Sequence, residues 1–467
     1  MPKTKIVCTI GPSSESPEVL KELILNGMNV ARLNFSHGSH KEHLIKINTI
    51  RSVSEKLGAH VAILQDLCGP KIRIGKVKEP GVRLNPGQAY VLTSRHVVGD
   101  GERVSVSYEN LPSDVKPGDR ILLADGMMEL VVDRTSRNDI FCKVVTGGFL
   151  TSNKGINLPT GTIKADAITE KDHKDLIFGL KNNVDYVALS FVRSSKDIIA
   201  LKRIIKKEKK NTPVIAKIEK HEALKDIEGI MEESDGIMVA RGDLGVEIPL
   251  ENVPNIQKML VKKANNMGKP VIIATQMLRS MVSAPRPSRA EANDVANAVL
   301  DGADAVMLSE ETASGEYPVQ AVQYMRRIAE NAEENFPHEK YLSLMPEKDV
   351  SESVAYASCV LADHLDVKAI VATTRSGSTA AHISRFRPKP IIIALSPEKS
   401  AVRRLALYWG CLPSLVVESK GKTGTTDSSA ISALASGYLS KGDLVVITSG
   451  YPEYVEGSTN MMRVIKL

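Results

Sequence analysis

Aromatic side chains are scarce in this chain. They make up 4% of its 467 residues, and Trp409 is the one tryptophan. That is too few for a platform on which successive bases of single-stranded nucleic acid stack. Cysteine is sparse as well. Cys8, Cys68, Cys142, Cys359 and Cys411 are scattered, odd in number and form no C-x-x-C pair. This argues against zinc ligation and a disulfide framework, and for reduced thiols in a cytoplasmic protein. No apolar run approaches the roughly 18 residues of a membrane helix. Met1-Pro2-Lys3-Thr4-Lys5 leads straight into a strand-like run, so no signal peptide is expected. Charge of one sign is lacking too. Lys and Arg total 61 against 55 Asp and Glu, a net charge of +6, which is too dilute for a nucleic-acid binder. There is no G-x-G-x-x-G and no G-x-x-x-x-G-K-[ST], which removes the Rossmann fingerprint and the Walker loop.

What is present is a packable core, with 42% hydrophobic and 25% charged residues. The length suggests about three domains. Short β-branched runs alternate with amphipathic stretches. Ile6–Ile10, Asn29–Phe35 and Val61–Asp66 read as strands, with helices from Ser16 to Asn26 and from about His40 to Leu57. The rhythm stops at Gly69-Pro70. From there to Ala167 the chain is rich in Gly, Pro, Val and turn signals such as Asn85-Pro86-Gly87, the mark of an inserted β module. The rhythm resumes with a helix at Glu170–Lys181 and strands at Tyr186–Phe191, Val214–Glu219, Gly236–Ala240, Val271–Thr275 and Ala305–Ser309. Three early and five later strands predict a (β/α)₈ barrel. A further α/β region follows, with strands at Ala369–Thr373, Ile391–Leu395 and Leu444–Thr448. The expected fold is therefore α/β: a TIM barrel in two pieces (1–69 and 168–338), an inserted β-barrel cap (70–167) and a C-terminal α/β regulatory domain (339–467).

Active sites of such barrels lie where strands end. Here six strand ends carry polar or ionisable groups: Arg32 to Gly38, Asp66, Lys217-Ile218-Glu219, Arg241-Gly242-Asp243, Thr275-Gln276 and Ser309-Glu310-Glu311. Any one of them would be unremarkable as a turn or solvated face. Six together are not, because unpaired buried charge is costly. Glu219 and Asp243 suit a hard divalent cation such as Mg²⁺ or Mn²⁺. Lys217 lies two residues before Glu219 and shares its strand face, and with Arg32 it could neutralise a transferring phosphoryl group. The turn after Arg241 offers backbone N–H groups to an anion. His37, His40 and His43 are spaced like ligands but lack partners, and read better as a loop and helix start. Gly421-Lys422-Thr423 lacks an upstream glycine and reads as a mobile loop.

Asn29-Val30-Ala31-Arg32-Leu33-Asn34-Phe35-Ser36-His37-Gly38, Lys154-Gly155-Ile156-Asn157, Ala216-Lys217-Ile218-Glu219, Ala240-Arg241-Gly242-Asp243-Leu244-Gly245, Ala274-Thr275-Gln276-Met277-Leu278 and Val306-Met307-Leu308-Ser309-Glu310-Glu311-Thr312-Ala313 together resemble the pyruvate kinase family, in order and over nearly the whole chain. The resemblance implies phosphoryl transfer from phosphoenolpyruvate to ADP, giving pyruvate and ATP. By motif position it assigns Lys217 to the phosphoryl in flight, Arg32 to the phosphoryl oxygens, and Glu219 and Asp243 to the metal. Gly242 and Asp243 fall at the substrate carboxylate, Thr275 near the proton route to the enolate, and Ser309 and Glu311 in a proton relay. Asn34, His37, Arg73 and Lys154 fall on the nucleotide side. It also implies a homotetramer. With the chain ending at Leu467, the extra phosphohistidine-type module of some bacterial relatives is not expected.

One departure stands out. Where many relatives carry Asp-Thr-Lys-Gly-Pro-Glu and need K⁺, this chain reads Asp66-Leu67-Cys68-Gly69-Pro70-Lys71. Asn34, Ser36, Asp66 and Leu67 mark the candidate K⁺ pocket, and the Lys71 ammonium is expected to make K⁺ dispensable or weakly required. In the third region, Thr373-Thr374-Arg375-Ser376-Gly377-Ser378-Thr379 matches the family's effector loop and suits a phosphate. Ser436-Gly437-Tyr438 lacks the arginine of bisphosphate-sensing relatives, which favours a sugar monophosphate or AMP. The competing readings are a metal-dependent lyase or aldolase on a pyruvate-like substrate, and a silent phosphometabolite sensor. Neither accounts as well for the Lys217–Glu219–Asp243 set.

Overall fold

A computed structural model of the chain describes residues 2–161, 164, 166–416, 425–451 and 457–467. The Gly421-Lys422-Thr423 stretch lies outside them. Eight parallel strands close into a barrel: Lys5–Thr9, Met28–Asn34, Ala62–Asp66, Tyr186–Leu189, Val214–Ile218, Gly236–Ala240, Val271–Ala274 and Ala305–Leu308. The first closes on the eighth with Lys5 opposite Ala305. The third and fourth pair directly, Leu64 opposite Tyr186, although the whole cap lies between them in sequence. The strands are nearly continuous in apolar residues because both faces are buried. Ile6, Ile63, Val187 and Ile273 face the surrounding helices, while Val7, Val30, Leu64, Ile215, Met238 and Ile272 fill the interior.

Several barrel strands end earlier than the sequence suggests. The fourth stops at Leu189 rather than Phe191, and the seventh at Ala274 rather than Thr275. Phe191 and Thr275 both have positive φ, 55° and 69°. An L residue cannot continue a strand there, so the β-favouring side chain misleads and the backbone turns out toward the site.

The cap comprises a six-stranded sheet and a two-stranded ribbon around its own apolar core of Tyr90, Leu92, Ile121, Leu130, Ile140 and Val144. The C-terminal region holds a five-stranded sheet in the order Cys411–Leu415, Ile391–Ser396, Ala369–Thr373, Leu444–Gly450 and Thr459–Lys466. Two of these strands were not legible in sequence. Both are edges: one contains Pro413, which an edge tolerates, and the other is antiparallel and largely exposed, so it carries no apolar run.

This last region docks under the barrel through buried groups. Leu407 joins the apolar filling of the barrel interior. The Arg387 guanidinium donates to both Asp304 oxygens at 2.9 and 2.8 Å, to Asn265 Oδ1 at 2.8 Å and to the Gly302 carbonyl. Asp304 immediately precedes the eighth strand and also accepts from the Trp409 and Val271 amides. Lys5, at the start of the first strand, donates to the Cys411 carbonyl at 2.6 Å.

Candidate active site

The centre of the site is Lys217, on the fifth strand. Its ammonium lies 2.7 Å from Ser190 Oγ, 2.9 Å from Glu219 Oε1 and 3.2 Å from Asp66 Oδ1. Arg32, on the second strand, binds the other Asp66 oxygen at 2.6 Å and Thr9 Oγ1 at 2.9 Å. Five strands thus converge on one buried cluster. Burial alone would depress the Lys217 pKa, but Asp66 and Glu219 outweigh it and hold the ammonium above the usual lysine range. Burial likewise opposes ionisation of Asp66, and the Lys217 and Arg32 cations hold it below the usual carboxylate range. Both groups stay charged, and the two cations Arg32 and Lys217 share Asp66 between them.

Glu219 is nearly fully buried. Its Oε2 accepts from the Phe191 amide at 2.8 Å, which the positive φ of Phe191 aims at it. Burial first, then the neighbouring Asp243 charge, raises the Glu219 pKa against the pull of Lys217. A buried carboxylate beside a partly exposed one of like charge fits a divalent cation of the Mg²⁺ or Mn²⁺ type. Asp243 is a quarter exposed, and Lys71 Nζ approaches its Oδ1 at 3.4 Å.

Asp243 and Gly242 open the short helix Arg241–Glu247, which begins directly at the end of the sixth strand. The Gly242 amide donates to Thr275 Oγ1 at 2.8 Å, and Thr275 Oγ1 donates to the Ala274 carbonyl. Arg241 fixes the turn by binding the Thr275 carbonyl at 2.8 Å while paired with Asp294 at 2.7 Å. Thr275 and Gln276 both have positive φ, a strain of the kind that functional sites hold in place with surrounding bonds. Glu311 is buried, with its oxygens taken by the Leu278 and Ser309 amides at 3.1 and 2.7 Å. The Ser309 hydroxyl is buried without a hydrogen-bond partner among the described residues.

Of the nucleotide-side residues, His37 and Lys154 are exposed. Arg73 reaches the Asn153 carbonyl at 3.3 Å, which ties that arginine to the Lys154 loop. Among the candidate K⁺ donors, Asn34 Oδ1 accepts from the Ser36 amide at 3.1 Å and the Leu67 carbonyl accepts from Ser190 Oγ at 2.7 Å. His40 pairs with Asp175, and His43 stacks on Phe35 with Nε2 on the His37 carbonyl. In the C-terminal region, Thr373 ends a strand, and the loop turns at Gly377 (φ 106°) into the helix Ser378–Arg385. Thr374 Oγ1 accepts from the Gly377 amide, and Thr379 bonds Thr459. Arg375 is half exposed beside Glu398.

Sequence reading missed Ser190, Phe191, Thr9 and the turn-fixing role of Arg241. Ser190 and Thr9 are single hydroxyls at strand ends, with no spacing signal. Phe191 acts through its backbone amide, which a side chain does not report.

A barrel whose strand ends gather Lys, Arg and three carboxylates on one rim has the groups that a metal-assisted phosphotransferase uses. Comparison with known proteins sharpens this. Residues 1–322 match the pyruvate kinase barrel domain, and residues 352–465 match the pyruvate kinase alpha/beta domain. The chain is 48% identical over 473 residues to the pyruvate kinase of Staphylococcus haemolyticus, which covers 99% of this chain and 80% of that protein. It is 48% identical over 466 residues to pyruvate kinase 2 of Synechocystis, covering 99% and 79%, and 47% identical over 469 residues to the pyruvate kinase of Staphylococcus aureus strain MRSA252, covering 99% and 80%. The chain belongs to the pyruvate kinase family, whose members are phosphotransferases. The lyase, aldolase and silent-sensor readings find no support.

Proposed function

We propose that this chain transfers the phosphoryl group of phosphoenolpyruvate to ADP, giving pyruvate and ATP. The observation that carries this reading is the buried Lys217, held by Ser190, Asp66 and Glu219 with its charge intact. In the proposed step the P–O bond to the enol oxygen breaks and a P–O bond to the ADP β-phosphate forms. Arg32 and Lys217 offset the charge on the phosphoryl oxygens as it crosses. Glu219 and Asp243 would hold Mg²⁺ or Mn²⁺, which when bound supplies charge neutralisation at the substrate. The Asp243 amide, and that of Gly242 once released from Thr275 Oγ1, would take the substrate carboxylate, with Thr275 at the side from which the enolate carbon receives its proton. Ser309 and Glu311 would relay that proton, and Asn34, His37, Arg73 and Lys154 would border the nucleotide. A lactate-dehydrogenase-coupled assay with phosphoenolpyruvate, ADP and Mg²⁺ tests the reading; absence of pyruvate formation defeats it. The division into catalytic barrel (1–69, 168–338), cap (70–167) and regulatory domain (339–467), the homotetramer and the cytoplasmic location belong to the same proposal. Among the described residues no helix is long and apolar enough to cross a membrane.

Lys71 bears on K⁺. Its ammonium is fixed near the site by Asp243. Both Asp66 oxygens are already paired with Arg32 and Lys217. Turnover with K⁺ replaced by a tetraalkylammonium salt is expected to stay above half its value with K⁺. Loss of nearly all activity would overturn this.

The loop from Thr373 to Thr379 supports a second phosphate site for an activating sugar monophosphate or AMP, because its hydroxyls and Arg375 surround a helix N-terminus. Activity at sub-saturating phosphoenolpyruvate is expected to rise with a monophosphate. Activation by fructose 1,6-bisphosphate alone would refute that choice.

A further inference from the structure

At the junction of cap and barrel lies a second buried charge cluster, outside the chemistry above. Glu247 ends the short helix Arg241–Glu247 that carries Asp243 in its first turn, and is almost fully buried. Its Oε1 lies 2.7 Å from Lys220 Nζ and accepts from Asn157 Nδ2 at 3.1 Å; its Oε2 lies 3.2 Å from His221 Nδ1. Lys220 directly follows Glu219 in the chain. Asn157 belongs to the cap, in the strand Ile156–Asn157 that pairs with Arg120–Leu123. One carboxylate therefore ties together the loop that carries Glu219, the helix that carries Asp243 and the cap. His221, Glu222 and Glu247 present ligand atoms within 4.8 Å of one another, but the positive charge at this cluster is the Lys220 ammonium. Burial pushes the Glu247 carboxyl up, and its bonds to His221, Lys220 and Asn157 outweigh that and hold it ionised.

Burying such a pair is poor value for stability, because desolvation of each ion costs several kcal/mol. Geometry is what it fixes. Beside the cluster is a small cleft between cap root and barrel, lined by Lys71, Ile72, Asn157, Phe191 and Lys220 among others. Phe191 is the residue whose amide holds Glu219, and Lys71 is the one beside Asp243. Asn157 to Glu247 is a side-chain bond by which the cap meets this cluster, and undocking of the cap would break it.

We propose that Glu247 is a positioning residue that sets the Glu219–Asp243 pair for its divalent cation only while the cap is docked through Asn157. This deepens the proposed function and rests on its assignment of those two carboxylates. Groups hydrogen-bonded directly to metal ligands commonly change affinity by about 10–100-fold when lost; Glu247 acts through Lys220 and the helix Arg241–Glu247, so effects at the low end of that range are expected. The test uses the full chain and Mn²⁺ as the probe. Mn²⁺ binding is measured by electron paramagnetic resonance without substrates, beside the coupled assay over a range of Mg²⁺. Asn157→Leu keeps the Lys220–Glu247 pair and removes only the cap bond. It is expected to weaken Mn²⁺ binding about fivefold and to raise the half-activating Mg²⁺ concentration equally, with kcat at saturating Mg²⁺ within threefold. Glu247→Gln is expected to weaken Mn²⁺ binding about tenfold or more. If it fails to fold, Asn157→Leu decides alone. Mn²⁺ affinity in Asn157→Leu unchanged within twofold would overturn the inference. An inactive wild-type protein would instead overturn the proposed function, leaving the Mn²⁺ comparison to judge Glu247.

Discussion

Lys217→Met is expected to lower kcat by about 10²–10³-fold, the scale seen when one preorganised charge or donor at the reacting atoms is lost. Methionine reproduces the length and most of the volume of lysine, so the packing around it is kept. What disappears is, among the described residues, the only cation in contact with both Asp66 and Glu219. Asp66 retains Arg32 at 2.6 Å. Glu219 retains the Phe191 amide but loses its counter-charge, and its pKa, already raised by burial and by Asp243, rises further. Proton uptake there lets the chain fold without a bare buried charge. The melting curve is thus expected to move little beside the change in rate. Steady-state assays paired with circular dichroism melts check this. A variant retaining a tenth of wild-type kcat would remove Lys217 from the mechanism. Lys217→Arg is expected to keep the charge without restoring the rate, because the planar guanidinium cannot place one point charge between Ser190, Glu219 and Asp66.

Arg387→Met is expected to give the largest loss of stability of any single change considered. Arg387 and Asp304 are almost completely buried, and the arginine satisfies groups on both sides of the junction between barrel and C-terminal region. Removing one partner of a buried pair costs about 3–5 kcal/mol, mostly from the charge left behind. Among the described residues, Asp304 would keep only its amide donors, those of Trp409 and Val271. The first thermal transition is expected to fall by about 5–10 °C. The double variant Arg387→Met, Asp304→Leu is expected to recover part of this, because it leaves no lone charge. Scanning calorimetry of both variants decides it. A fall of less than about 2 °C for the single variant would show that the pair is not what holds the junction.

The site was readable in sequence to the extent that its chemistry lies in side chains at strand ends. Arg32, Asp66, Lys217, Glu219, Asp243 and Thr275 each follow a short apolar run, and a closed parallel barrel gathers such ends on one rim. Ser190 could not be found this way, since an isolated serine after a strand looks like any turn. Phe191 misled, because its side chain favours a strand while its backbone leaves one. The C-terminal edge strands were hidden by Pro413 and by an exposed face, where no burial imposes an apolar pattern.

By itself the sequence determined the alternation of strands and helices, the interruption at Gly69-Pro70, the set of ionisable groups and the Lys71 substitution, because periodicity and residue chemistry are local properties. Only the tertiary structure decided which charges meet. It placed Lys217 among Ser190, Asp66 and Glu219, locked Arg387 onto Asp304, and joined Asn157 of the cap to Glu247 of the barrel. These pairings span from 2 to 151 residues of chain, and their strength depends on distance and burial, which exist only once the chain has closed on itself.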